Sequence, residues 1–198
     1  MMITWSEILK DWEADEVERY RELYESRGFD SWREWRQSYI DDLRLNEREW
    51  TQEQLKHPYD VIPSFVIGGY PGWHVYRPAE NHLVMFADVA RPVQEGEMSF
   101  AGSERKDVRT NEGVMRFTRD LSDAIILVLQ SGDLRVVLDG THRSAAIAVA
   151  AHDGLDRLVD AVTVRTCHFD ASERAPLESF AKDRRAIVKK KSDTDEAH

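Results

Sequence analysis

The sequence predicts an α/β (α+β) protein, a helical N-terminal extension followed by a small mixed sheet. Three observations predict it. Apolar residues recur at helical spacing through the first part of the chain. Alternating and continuous β-branched runs replace that spacing from residue 83 onward. An alanine-rich helix follows directly on one of those runs, at Asp139-Gly140-Thr141-His142-Arg143.

The totals bound what such a chain does. With 198 residues it is long enough for one domain with a helical addition, or for two small ones. Apolar residues make up 41% and charged residues 32%, so a sizeable core and a well-solvated surface are both expected. No run approaches the ~18 apolar residues of a membrane span. The opening residues, Met1-Met2-Ile3-Thr4-Trp5-Ser6-Glu7, lack a basic region followed by an apolar run and read as no secretory signal. The single cysteine, Cys167, has no partner for an internal disulfide. These features point to a soluble protein of the cytoplasm with no membrane partner. The formal net charge of −10 weighs against nonspecific nucleic-acid binding, which needs a basic face along the phosphates.

Element by element, residues 4–27 read as one helix, with Trp5, Ile8, Leu9 and Trp12 and then Val17, Tyr20, Leu23 and Tyr24 at helical spacing, and with Gly28 as its stop. Ser31 and Glu34 have capping-box spacing before a second helix that carries Trp32, Trp35, Tyr39 and Leu43. Asn46 or Thr51 is placed to cap a short third helix through Leu55. Four of the six tryptophans lie within the first 35 residues. The aromatic stripe is therefore expected to pack within the chain or between two copies in a homodimer. A base-stacking or partner surface is the other account of it.

Residues 58–82 are rich in proline and glycine and read as an irregular connecting segment with short extended pieces such as Ser64-Phe65-Val66-Ile67. Gly68-Gly69-Tyr70-Pro71-Gly72-Trp73 is interrupted by Pro71 and leads into no clear helix. It reads as a plain turn or a ligand-facing loop, and as a poor phosphate cradle. Residues 83–89 read as a strand, 94–110 as a polar loop and 111–121 as a short helix with Val114, Met115 and Phe117 on its buried side. Residues 124–129 and 134–138 form a hairpin across Ser131-Gly132-Asp133. Residues 141–152 form the alanine-rich helix, 161–166 the last strand and 173–187 a helix, and the tail 189–198 is expected to be disordered. The expected organisation is 1–57 helical extension, 58–82 connection, 83–188 sheet domain and 189–198 tail. His74, His82 and His168 lack metal-ligand spacing, and Cys167 and His168 face opposite ways if they lie on a strand.

The stretch from Val136 to Ala146 carries the chemistry. A buried strand ends at Asp139, and Gly140 permits an unusual turn or the close approach of a ligand. Thr141, His142, Arg143 and Ser144 then fall on the first helical turn, where unpaired backbone N–H groups and a partial positive charge suit an anion. Small residues behind them let the helix pack tightly on the sheet. The ordinary alternative is that Asp139 or Thr141 caps the helix and Arg143 is a surface charge. That account explains the clustering behind one glycine less well.

The residues Leu138-Asp139-Gly140-Thr141-His142-Arg143-Ser144-Ala145-Ala146 resemble the Asp-Gly-x-x-Arg box of ParB-like proteins and the Gly-Cys-His-Arg box of sulfiredoxins. The order of elements over residues 83–170 also resembles the ParB/sulfiredoxin fold. The resemblance covers less than half of the chain. It implies a nucleotide, ATP or ADP, with its phosphates at the start of the 141–152 helix, held by Gly140, Thr141, His142, Arg143 and Ser144. Thr141 stands where a sulfiredoxin has its reactive cysteine, which removes the thiol chemistry. The residues after 170 are too few for the helix-turn-helix of a partition protein. The implied branch is that of small ParB-like enzymes, kinases that phosphorylate a free amino acid or a similar hydroxylated metabolite. By the same resemblance, Asp139 would act as base or as a ligand of Mg²⁺, His142 would take part in catalysis, and a loop glutamate would assist. Glu95, Glu97 and Glu104 are the candidates for it, with Glu97 preferred. A noncatalytic nucleotide-binding or interaction module is the second expectation, and a ParB-like nucleic-acid-processing protein the third.

Overall fold

The computed structural model describes residues 1–80, 83–121, 124–155 and 159–182. The expected disordered tail, His82 and the last part of the helix expected over 173–187 lie outside them. The chain divides into two compact units, Met1–Gln52 and Glu53–His198.

The first unit begins with strand β1 (Met2–Ile3) and helix α1 (Trp5–Glu16), capped by Thr4, whose hydroxyl accepts from the Glu7 N–H while Glu7 reaches back to the Thr4 N–H. Helices α2 (Arg21–Ser26) and α3 (Trp32–Asp42) follow, and the Ser31 hydroxyl caps α3. The single helix expected over 4–27 is thus broken after Glu16. Ile8, Trp12, Glu16 and Tyr24 are all buried. Steps of four residues drift by about 40° each on a straight helix, which would turn Tyr24 roughly 160° away from Ile8. The break resets that drift and lays Tyr20 and Tyr24 on Trp35, at ring separations of 5.7 and 6.3 Å. Trp12, Trp32, Trp35 and Trp50 are buried, and Trp5 is half-buried against Trp50. A buried ion pair sits among these rings. The Arg36 guanidinium donates to both oxygens of Glu16 at 2.7 and 2.8 Å, and the Trp32 indole N–H donates to the same carboxylate at 2.7 Å.

Strand β2 (Trp50–Lys56) replaces the third helix expected through Leu55. Trp50 and Thr51 pair antiparallel with Ile3 and Met2. Strand pairing thus overrides the modest helix propensity of this stretch.

In the second unit the residues after β2 form helix α4 (Pro58–Val61) and strand β3 (Val66–Ile67). The segment expected to be an irregular connection is built mostly of short helical turns opened by Pro58, Pro63 and Pro71. It places Tyr59, Ile62, Phe65, Ile67 and Trp73 in the core. Helix α5 (Phe86–Ala90) stands where a strand was expected over 83–89. Phe86, Val89 and Ala90 share its buried face, and the Asp88 carboxylate accepts from the Met85 N–H at 2.9 Å to start it. Helix α6 (Glu112–Phe117) is capped by Asn111.

Strands β4 (Ile125–Ser131) and β5 (Leu134–Asp139) form the antiparallel hairpin. Helix α7 (Thr141–Asp153) crosses over to β6 (Ala161–His168), which runs parallel to β4. Helix α8 (Arg174–Lys182) closes the described part. The strands of this unit follow the order β2-β6-β4-β5-β3, with β3 parallel to β5, so the fold is a mixed-sheet α/β. Ala145, Ala146, Ala148 and Ala150 give α7 a thin buried face in the core. On β6, Cys167 is buried and His168 is exposed. Among the described residues no helix is long and apolar enough to cross a membrane.

Candidate functional site

The strand-to-helix junction is shaped by a bulge. Val128 faces Val137 and Leu127 faces Asp139, so Leu138 is the extra residue of β5. Its carbonyl accepts from the Tyr70 hydroxyl. The bulge ends the ladder at Asp139, which is half-buried at the strand terminus.

Gly140 is the N-cap of α7, with φ +86° and ψ 20°. A side chain would be strained in that conformation, and its Cβ would lie 3.1 Å from the Ile125 carbonyl oxygen. The same carbonyl accepts from the Arg143 guanidinium at 3.2 Å. Glycine therefore lets the helix start close against β4.

The start of α7 differs from the starts of α1, α3 and α6 in ways that matter for an anion. Thr4, Ser31 and Asn111 cap α1, α3 and α6 with side-chain oxygens, and each of those helices has a glutamate in its first turn. Gly140 has no side chain to offer, and the first turn of α7 carries no acid. It carries His142 and Arg143, both half-buried. The first turn of this thirteen-residue helix thus adds the positive charge of Arg143 to its orphan N–H groups. Thr141 is buried, and Ser144 is fully buried with a hydroxyl that has no hydrogen-bond partner among the described residues. An orphaned buried hydroxyl is costly, and its expected partner is a bound group or water. In a helix, side chains lean toward the N-terminus, so the Ser144 hydroxyl lies over the first turn.

Residues outside the box complete its surroundings. The His142 imidazole stands edge-to-face with Trp73 at 5.1 Å. Gly113 of α6 lies against the same imidazole. The Arg143 guanidinium sits over the Phe117 ring at 5.3 Å. Gly113 and Phe117 were not legible as site residues, and Trp73 was legible only as the end of a segment that reads as a plain turn or a ligand-facing loop. The available signal for Gly113 was a glycine inside a short helix, two residues after the capping Asn111. The glycine-rich 68–73 segment does reach the box, through Tyr70 and Trp73.

Glu97 belongs to a different arrangement. Its carboxylate receives both Arg91 and Arg105 and the Gln94 N–H. Burial pushes its carboxyl up, but the bonds from Arg91 and Gln94 and the charges of Arg105 and Arg91 outweigh it and leave it below the ordinary range. Arg105 is itself buried, which pushes its guanidinium down against the pull of Glu97. It also donates to the carbonyls of Tyr76, Val89 and Arg91 at 3.1, 3.2 and 2.8 Å. Glu97 therefore holds the 91–105 loop together, and its lone pairs are engaged there. Glu95 and Glu104 are exposed. The link from this knot to the box runs through Tyr76, whose ring lies 5.7 Å from Trp73 and whose hydroxyl accepts from Asn111.

Among the described residues no three His, Cys, Asp or Glu side chains converge to hold a metal ion. Asp139 is the carboxylate that the box itself provides. Gly140 brings no side-chain oxygen to cap the helix start, so the first N–H groups of α7 are left without a side-chain cap. Comparison of the chain with protein-family models, with curated proteins and with solved structures finds no match.

Proposed function

We propose that the start of α7 binds the phosphates of a nucleotide, ATP or ADP with Mg²⁺, and that the protein is a phosphotransferase for a small hydroxylated metabolite such as a free amino acid. The observation that carries the reading is the first turn of α7. A glycine cap without a side chain, a first turn that carries His142 and Arg143 and no Asp or Glu of its own, and a buried Ser144 hydroxyl with no partner among the described residues occur together there. The ParB-like box supports the same reading and supplies the reaction class.

In this reading the N–H groups after Gly140, with Thr141, Arg143 and Ser144, hold the phosphate oxygens. Phosphoryl transfer chiefly needs positioning and charge stabilisation, which such a site provides. Asp139 is the box residue that would hold Mg²⁺, which would supply positive charge to offset that of the phosphates. Where Asp139 acts as the base instead, it takes the proton of the acceptor hydroxyl as the new oxygen–phosphorus bond forms and the β–γ bridging bond of ATP breaks, leaving ADP. His142 lies in the first turn beside the phosphates and stabilises their charge. Glu97, engaged by two arginines, has no part in the transfer.

A noncatalytic nucleotide-binding module is the second reading, and the engagement of Glu97 favours it, because Asp139 is then left as a single acid. A thermal-shift screen of nucleotides with and without Mg²⁺, followed by turnover with pooled hydroxylated metabolites, separates the two. Stabilisation by ATP with consumption in a metabolite pool is expected. Stabilisation without turnover in any pool supports the module, and no stabilisation by any nucleotide contradicts both.

A further inference from the structure

Gly113 lies inside α6, where glycine is among the poorest helix formers. Its backbone is not in the left-handed region, so conformation does not call for glycine there. Space does. A Cβ at 113 would lie 2.8 Å from Cδ2 and 3.2 Å from Nε2 of His142, and 3.2 Å from Oδ1 of Asn111. Neither neighbour is at liberty to retreat. The Asn111 amide is held at both ends, with Oδ1 accepting from the Val114 N–H at 3.2 Å and Nδ2 donating to the Tyr76 hydroxyl at 3.4 Å. The His142 ring meets Trp73 edge-to-face.

We infer that Gly113 is a positioning residue, whose missing side chain sets where the His142 imidazole lies in the first turn of α7. α6 and the Trp73 turn thereby share control of one side of the box. The consequence for ligand affinity rests on the nucleotide reading above; the seating of His142 does not.

The test is Gly113→Ala in the full chain, alone and with His142→Ala, read by imidazole NMR through a pH titration, by thermal melting and by MgATP titration. The variant is expected to move the His142 ring resonances and to leave those of His57, His152 and His168 in place. Its melting temperature should fall by a few degrees when His142 is present. With His142→Ala the fall should be smaller, because the 2.8 Å contact with the ring is gone and only the 3.2 Å contact with Asn111 Oδ1 remains. MgATP should bind several-fold more weakly to Gly113→Ala. Unchanged His142 resonances, or an equal melting change in both backgrounds, would overturn the inference. If Gly113→Ala alone fails to fold, His142→Ala should restore folding, and failure to restore it overturns the inference as well. A wild type that binds no MgATP sinks the nucleotide reading, while the imidazole titration and the melting cycle still decide the part of Gly113.

Discussion

The His142 imidazole and the Trp73 indole stand edge to face, 5.1 Å between centroids and 66° between planes. Trp73 is the sole tryptophan beyond residue 52; the other five lie in the first unit. Its emission therefore reports on the start of α7. Titration with MgATP should change tryptophan fluorescence saturably in the wild type, and Trp73→Phe should abolish the change. A full-size change that survives in Trp73→Phe would place the ligand elsewhere.

Gly140 should tolerate no β-branched residue. Its φ of +86° and the Ile125 carbonyl 3.1 Å from a would-be Cβ act together. Gly140→Val is expected to lower stability by about 1–3 kcal/mol from backbone strain, with crowding added. Denaturant melts would show it as a lower midpoint with unchanged slope. An unshifted midpoint would mean that the helix start is looser than it stands here.

The Glu16–Arg36 pair should behave as a buried ion pair. Glu16→Ala leaves the Arg36 guanidinium buried among Trp12, Tyr20, Trp35 and Tyr39 without its countercharge. The expected loss is about 3–5 kcal/mol. Replacing both partners, as Glu16→Leu with Arg36→Met, should cost much less. Equal losses in the two variants, measured by equilibrium unfolding, would contradict this account.

Glu97 gives a pH dependence of known sign. Its folded carboxyl titrates below its ordinary range, so the folded state binds a proton less readily than the unfolded chain. The stability it contributes is full above the ordinary glutamate range of about 4.3 and is lost as pH falls through the lowered folded value. Glu97→Gln should be less stable than wild type at neutral pH, because Arg105 keeps its burial and loses its countercharge. It should then lose less on further acidification, so the two melting curves converge in acid. A gap that stays constant with pH would remove Glu97 from the acid response.

Much of the second unit was legible because its signals are local. The turn at Gly132-Asp133 between two β-branched runs specifies the hairpin, and the alanines behind Asp139 specify a helix that packs tightly. The failures share one cause. Trp50–Lys56 is a strand because of what it pairs with, and no local pattern records the partner. Phe86–Ala90 is a helix because Asp88 caps it, and a short apolar run reads equally well as a strand. The helix break after Glu16 serves the seating of Tyr24 against Trp35, a contact between distant positions. The box itself was visible as a cluster of residue types behind one glycine. Its walls were not, because Trp73, Gly113 and Phe117 reach it through the tertiary fold. The engagement of Glu97 by two arginines was hidden for the same reason.

Ser144 offers the most direct test of the phosphate site, because its hydroxyl has no partner among the described residues to lose. Isothermal titration of MgATP into wild type and Ser144→Ala, with melting of both apo proteins, is the measurement. The wild type should bind, and Ser144→Ala should bind about fivefold or more weakly, the worth of one hydrogen bond of ~1 kcal/mol. The apo variant should melt no lower than the wild type, since an unsatisfied buried hydroxyl is removed. No binding to the wild type, or equal affinity in the two proteins, would contradict the assignment of the α7 start as a phosphate site.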